Sequence, residues 1–297
     1  MSAVLVVAAL RSADPRALAH PLTGTVPSAP YAAGAGPADR CALEHALRLA
    51  DRLGGRCLAV TVGAAGAQDM LREALASGAD EALRIEGPDG DEAATAQTLL
   101  AGLAAAGFPA PDLVVCGDRS VDRGTGATPA HLATRLGAAQ ALGLLELEPS
   151  TRAPEGARHG AGVLLRAVRR LDGGRAERLD VPLPAVCSVE PGTARPRRAP
   201  LGAALAARRA VVPVVRVTGT DGGAPGEVRA GRVRPYRPRA KALPAPEGGT
   251  RQRLLALTGA LTPPRTPPRV VTPGSPEEAA DLLLAHLREQ GVVPKPV

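Results

Sequence analysis

DLVVCGDRSVDRGTGATPAHLATRLG, residues 112–137, passes from a buried strand through a glycine-punctuated loop into a helix. Leu113, Val114, Val115 and Cys116 form the short apolar run expected of a strand covered on both faces. Gly117 ends that run. From Asp118 to Ala127 the residues are mostly glycine or polar. Thr128 then suits a helix N-cap, and Pro129 the first helical position, where a missing N–H leaves nothing unpaired. Leu132 and Leu136, four apart, give the helix one apolar stripe. Loop amides and the positive end of a helix converging on one point make a cradle for a phosphate group. Gly117, Gly124 and Gly126 fit neither the dinucleotide fingerprint nor the G-x-x-x-x-G-K-[ST] loop, because no lysine follows. Alone, the stretch reads equally as an ordinary strand-to-helix turn.

Outward from this stretch, strands and helices alternate. Val4–Ala9 reads as the first strand. A Pro/Gly/Ala-rich excursion follows to Pro37, and Asp39 is placed to cap a helix carrying Leu43, Ala46, Leu47, Ala50 and Leu53. Cys57–Thr61 is a strand, Gly66–Ser77 a helix, Ala82–Ile85 a strand and Asp91–Ala106 an alanine-rich helix. Alternation at this spacing predicts βαβ units and a mainly parallel sheet covered on both faces, a three-layer α/β nucleotide-binding fold. Ligands in such sheets bind beyond the carboxyl ends of the strands. Four segments therefore converge on the expected site: after Val7, around Asp39, after Thr61, and Gly117–Thr128. Further on, Leu142–Leu147, Val163–Val168 and Ala176–Leu183 read as short strands, with Asp172-Gly173-Gly174 as a hairpin turn. Val186–Val189 is a candidate to return to the main sheet.

Beyond Pro191 the regularity fails. Leu201–Ala207 predicts a brief helix, but proline and arginine dominate as far as Arg269, a composition that buries little by itself and expects order from a partner. Ser275-Pro276-Glu277-Glu278 is a capping box opening a last helix with Ala280, Leu283, Leu284 and Leu287. The expected organisation is an α/β domain over 1–190, a partner-recognition loop over 191–210, and an extended arm with a terminal helix over 211–297.

The net charge of +7 belongs to the C-terminal third. Residues 191–297 carry 18 Lys+Arg against 7 Asp+Glu, whereas residues 1–190 carry 18 against 22. A basic tail suggests nucleic acid, yet the chain has only Tyr31, Phe108 and Tyr236 as aromatics, which argues against a base-stacking platform and for an acidic protein surface. The four cysteines are scattered, with no C-x-x-C pair or Cys/His cluster to suggest a metal, and read as buried and reduced. His131, beside the central loop, reads as structural. No apolar run approaches the length of a membrane span, and the N-terminus lacks a basic n-region, so a cytoplasmic chain that is not membrane-embedded is expected.

Several segments resemble, in order and spacing, the β subunit of electron transfer flavoprotein. Ala59–Asp80, AVTVGAAGAQDMLREALASGAD, resembles that family's strand–turn–helix block ending A-L-A-x-G-A-D. Cys41–Leu49, CALEHALRL, resembles its E-I-A-x-E-x-A-x-R-L helix, and DLVVCGDRSVD its D-L-V-L-x-G nucleotide loop. LDGG at 171–174, LPAV at 183–186 and the final helix also fall in place. The resemblance implies a non-catalytic subunit that holds one adenine nucleotide, AMP or FAD, and pairs with an α subunit carrying the working FAD. It further implies docking of client flavin or redox-cofactor dehydrogenases, with electrons passed indirectly to a membrane quinone oxidoreductase. By position, the nucleotide would meet Val7, Ala38, Asp39, Val62, Gly117, Ser120, Asp122, Arg123, Gly124, Thr125, Gly126, Ala127 and Thr128. The docking leucine falls on Leu201, with Arg197 and Arg198 beside it.

Some positions depart from the pattern. The family's D-x-D-x-x-Q-x-G loop becomes Asp122-Arg123-Gly124-Thr125-Gly126-Ala127-Thr128, and the glutamate before I-D-G-G becomes Arg170. The D-R-G-T-G loop is similar to that of the subfamily associated with the peptide-derived cofactor mycofactocin in actinobacteria. Two other readings are an ATP-cleaving α-hydrolase-type enzyme and a nucleic-acid-binding protein. The first needs an S-G-G-x-D-S loop that Ala8-Ala9-Leu10-Arg11 does not offer, and the second lacks aromatics.

Overall fold

The computed structural model describes residues 3–18, 20, 33–87, 91–150, 163–218, 248–259, 270–290 and 293. The chain divides into two units, 1–236 and 237–297. In the first, β1 (Leu5–Ala9) leads to a small antiparallel pair, β2 (Ser12–Ala13) and β3 (Gly34–Ala35). Then come α1 (Pro37–Leu53), β4 (Arg56–Val62), α2 (Gln68–Ala76), β5 (Glu81–Glu86), α3 (Glu92–Ala105), β6 (Leu113–Gly117) and α4 (Thr128–Leu136). They are followed by β7 (Ala139–Pro149), β8 (Leu164–Arg170), β9 (Ala176–Pro182), β10 (Ala185–Val189), α5 (Leu201–Arg209) and β11 (Val214–Arg216). The second unit holds α6 (Thr250–Leu257) and α7 (Pro276–Glu289).

Nine strands form one sheet in the order β11-β5-β4-β1-β6-β10-β7-β8-β9. Pairing is parallel from β11 to β7 and antiparallel from β7 through β9. Alternate residues of each central strand enter opposite cores, as a doubly covered strand requires. Val6, Ala8, Leu113 and Val115 join Leu47 and Leu49 of α1 and Leu71 of α2 on one side. Leu5, Val7, Val114 and Cys116 join Leu99 and Leu103 of α3 and Leu132 of α4 on the other. These are the three layers expected from the sequence. Two aspartates that precede strands pin an amide at the start of the neighbouring strand. Asp112 Oδ2 accepts the Leu5 N–H at 2.8 Å, and Asp80 Oδ2 accepts that of Cys57 at 2.7 Å.

Several boundaries differ from expectation. Gly36, not Asp39, is the N-cap of α1; the helix begins at Pro37, and Asp39 lies inside its first turn. Ala127 precedes α4, so Thr128 is the first helical residue and Pro129 the second. Proline tolerates either early position, since neither N–H has an intrahelical partner. β7 starts at Ala139 rather than Leu142, because Ala139-Gln140-Ala141 pairs with β10 before the strand turns to β8. The expected hairpin turn is present, closed by the Leu171 N–H on Arg175 O at 2.8 Å.

The arm beginning at residue 211 is not wholly without a core partner. Val212 is buried, Arg84 N–H donates to Pro213 O at 3.0 Å, and β11 extends the sheet beside β5. A three-residue strand shows no periodicity in sequence; an open edge of backbone groups recruits it. Residues 219–247 and 260–269, on which the rest of that expectation falls, lie outside the described residues. In α7 the capping box forms on one side: Ser275 Oγ accepts from Glu278 N–H at 3.2 Å, while the Glu278 carboxylate takes the Gly274 N–H at 2.7 Å.

Candidate functional site

The crossover that follows β5 carries the chain past β4 and β1 to β6, so the strand order reverses between β1 and β6. Neighbouring connections diverge at such a point and leave a crevice. The cleft found there encloses about 90 Å³. All four expected segments reach it: Ala9 to Arg11 after β1, Asp39 of α1, Val62 at the end of β4, and residues of the loop after β6. A larger groove of about 620 Å³ lies among Ala13, Gly34, Arg40, Cys41, Glu73 and Gly192. There Arg40 Nε donates to Ala35 O and the Cys41 thiol to Ala194 O, leaving a wall poor in converging donors. Donor chemistry, not volume, singles out the cleft.

The loop over residues 118–127 is tied to itself. Ser120 N–H donates to Thr125 O at 2.8 Å and Gly124 N–H to Ser120 O at 2.9 Å. Gly124 takes a left-handed φ of 67°, which a side chain rarely adopts. Gly126 serves by close approach instead: a Cβ there would stand 2.0 Å from Asp118 O. The amides of Thr125 and Gly126 have no partner among the described residues, and the buried Ser120 hydroxyl is likewise unpartnered. Both glycine-loop residues and Ser120 line the cleft, with Arg119 and Arg123.

Arg11 straps the loop to β1. Its Nε stands 3.0 and 3.2 Å from Asp122 Oδ1 and Oδ2, and its Nη2 2.6 Å from Oδ2, a bidentate pair. The hydrogen bonds from Arg11 hold the Asp122 carboxyl below its usual range. Asp118, by contrast, is pushed up by burial.

Asp39 is 6% exposed and accepts the Arg11 N–H at 3.1 Å. Burial raises its pKa to about 6, against the opposing hydrogen bonds from the Arg11 and Gly36 amides and the Arg11 charge. The folded chain therefore holds this proton where the unfolded chain, titrating near pH 4, has lost it. Stability from Asp39 is complete below about pH 4 and is lost as pH rises through about 6. Asp39→Asn should remove that component: relative to the native chain, its melting temperature should rise between pH 4.5 and 7. Parallel pH profiles for the two proteins would refute the assignment.

Of the remaining expected residues, Val62, Gly117 and Thr128 line the cleft, whereas Val7 and Ala38 are buried behind it. Asp122, Gly124 and Ala127 shape the loop without lining it. Arg11, Glu92 and Thr95 also line the cleft and were not among the expected residues. Glu92 Oε1 accepts the Ala127 N–H at 3.1 Å across 35 residues. Its position in the first turn of a helix following β5 was the available signal, since such turns sit at the ligand-binding end of the sheet.

In the 191–210 segment Leu201 is 77% exposed at the start of α5, and Arg198 is exposed. Arg197 is engaged by its own chain: its N–H and Nε donate to Glu44 Oε2 at 3.0 and 3.1 Å, and its Nη2 lies 3.6 Å from Asp51. Arg170, the reversed charge, pairs with Glu190. All four cysteines are free and buried, burial pushing Cys57 and Cys187 up to about 12. Among the described residues no helix is long and apolar enough to cross a membrane.

The electron transfer flavoprotein domain matches residues 32–220, a span running from before α1 to beyond β11 and taking in most of the cleft. The chain belongs to the electron transfer flavoprotein family. The electron transfer flavoprotein subunit beta of Chromohalobacter salexigens is 31% identical over 282 residues, covering 92% of each chain. Protein FixA of Azorhizobium caulinodans is 32% identical over 198 residues, 65% of this chain and 67% of its own. The acryloyl-CoA reductase electron transfer subunit gamma of Anaerotignum propionicum is 34% identical over 116 residues, 38% of this chain and 43% of its own. This is a beta-type electron transfer flavoprotein, and its relatives are electron transfer subunits.

Proposed function

We propose that the chain is the β subunit of a heterodimeric electron transfer flavoprotein that holds an adenine nucleotide in the cleft between β1 and β6. The observation that carries this reading is the loop after β6. Its uncommitted Thr125 and Gly126 amides and the Ser120 hydroxyl face the same space as Arg119 and Arg123. Oriented amides with guanidinium groups supply charge-assisted donors to a phosphate without a P-loop lysine. At about 90 Å³ the enclosed part has the volume of about three waters, which suits a phosphate, with ribose and base toward the mouth. The residues thus fit AMP, or the adenylate half of FAD.

In this reading the nucleotide is structural. The flavin of the FAD held mainly by an α subunit supplies the electron-carrying chemistry, and this chain orients that partner and the client dehydrogenase. The exposed Leu201 beside Arg198 is the docking anchor, and Arg197 fixes the segment's base to α1 through Glu44. Residues 237–297, with the exposed Leu283 and Leu284 of α7, supply contact surface for the α subunit.

Co-expression of the chain with its α subunit, purification of the pair and heat release of bound nucleotides test this. About one adenine nucleotide beyond the working FAD is expected per heterodimer. A heterodimer releasing FAD alone, one per pair, would refute the nucleotide assignment; failure to pair would refute the subunit assignment.

A further inference from the structure

Four residues on one face of α1, Cys41, Glu44, His45 and Arg48, all reach the chain that follows β10. Their spacing of three and four sets them one above another along the helix. The Cys41 thiol donates to Ala194 O, and its sulfur accepts the Gly192 N–H, both at 3.3 Å. His45 Nε2 lies 3.2 Å from Thr193 Oγ1, and Arg48 Nη2 donates to Arg195 O at 3.4 Å. Glu44 makes the most extensive of these contacts. Only 4% exposed, it takes the Arg197 N–H and Nε at 3.0 and 3.1 Å, Arg197 Nη2 at 3.4 Å and Arg48 Nε at 2.7 Å. A carboxylate buried this far is tolerated only while such donors stay in place, so the contact resists fraying.

Burial alone would not hold the docking helix. α5 buries Ala207 and exposes its large residues, Leu201 and Leu205. Burying an alanine contributes little, since the favourable term scales with apolar area. Polar clasps at the two ends hold the helix instead. Glu44 grips Arg197, four residues before Leu201, and Arg72 Nε donates at 3.4 Å to O of Ala210, the residue that follows α5. Between Arg197 and α5 stand only Arg198, Ala199 and Pro200. Pro200 has its φ fixed by its ring, and its carbonyl accepts the Ala204 N–H at 2.9 Å. Little slack separates the buried carboxylate from the exposed leucine.

We infer, on the docking reading above, that Glu44 is a positioning residue for client recognition: buried away from any client, it holds Leu201 in its docking pose before the client arrives. A segment that ordered only on contact would lose affinity in proportion to the fraction of time it spends in that pose. The clasp of Glu44 on Arg197 keeps that fraction high.

The test uses the heterodimer with the α subunit, in native form and as Glu44→Gln, Arg197→Gln and Leu201→Ala. Glutamine at position 44 keeps the shape and removes the charge. Arg197→Gln breaks the same clasp from the segment's side and leaves α1 intact, should the first variant fold poorly. Reduction of the FAD by a purified flavin dehydrogenase that reduces the native pair is measured over a range of heterodimer concentrations, and amide exchange is followed over residues 192–200. Both clasp variants should raise KM for the heterodimer about tenfold, with kcat within about twofold of native. Amides of 192–200 should exchange at least about tenfold faster, while β1 and β6 keep their native rates. A segment that loosens with KM unchanged overturns the positioning role, as does a KM that rises with 192–200 still protected. Leu201→Ala separates this from docking itself. If Leu201→Ala leaves KM at the native value, the docking reading falls; if it raises KM while both clasp variants behave as native, only the role of Glu44 falls.

Discussion

Gly126→Val should weaken binding of AMP to the full chain by about ten- to a hundredfold. The backbone at Gly126 passes so close to Asp118 that an added Cβ would stand 2.0 Å from its carbonyl oxygen. Neither side of that contact is a flexible side chain, so the loop itself must shift. Overpacking of this kind costs on the order of 1–3 kcal/mol. Here the shift would fall on the loop whose Thr125 and Gly126 amides face the phosphate, and about 1.4 kcal/mol is tenfold in affinity. Because the loop is exposed and can relax, the melting temperature should fall by only a few degrees. Gly124→Ala makes a useful contrast. A Cβ there meets nothing within 4 Å, and only the left-handed φ is strained, so its effect should be smaller. Titration calorimetry distinguishes the two; equal AMP affinity in Gly126→Val and native chain would remove this loop from the site.

Leu201→Ala should slow electron transfer from the client dehydrogenase about tenfold at subsaturating protein. A leucine that is 77% exposed contributes little to its own fold, so truncation should leave melting temperature, nucleotide content and α-subunit pairing nearly unchanged. Removing an apolar anchor from a partner's pocket typically costs at least ~1–2 kcal/mol of binding. Arg198 beside it should shape the approach, so charge neutralisation there should act mostly on the association rate and its salt dependence. A Leu201→Ala heterodimer that transfers electrons at the native rate while melting several degrees lower would make Leu201 a packing residue.

The layers of the fold were legible because they rest on local signals. Leu113-Val114-Val115-Cys116 could be placed between two cores without knowing either, since every residue of the run is apolar. The stripes of α1 and α2 repeat at helical spacing in the same way. Boundaries were less legible where a neighbour in space, not in sequence, supplies the partner. Asp39 has the chemistry of an N-cap, yet its carboxylate answers Arg11 and Gly36 from within the helix. Thr128 is inside the helix because Ala127 already has helical φ/ψ and its carbonyl accepts the His131 N–H at 3.1 Å, starting α4 one residue earlier than the side-chain chemistry suggests. In the cleft, the glycine loop announced itself by composition, while Arg11 and Glu92 did not. An arginine after a strand and a glutamate in a first helical turn look like ordinary surface residues until the strand order brings them together. β11 was hidden for a related reason: three residues of an arginine- and proline-rich run become a strand only because β5 offers an unpaired edge.

The place of β10 in the sheet bears on how the chain is made. β6 and β7 lie two positions apart, and only β10 fills the gap, pairing in parallel with both. Yet β10 is the tenth strand to leave the ribosome, after the whole β7–β8–β9 meander. Until Val189 has emerged, two apolar edges that end in the middle of the finished molecule stand open to solvent and to each other's neighbours. Parallel pairings between distant segments form slowly, and open edges of this kind invite pairing between chains. A nascent or truncated chain ending near Pro182, with the meander complete and β10 missing, should therefore be the form most prone to aggregate, although it already contains every residue of the cleft.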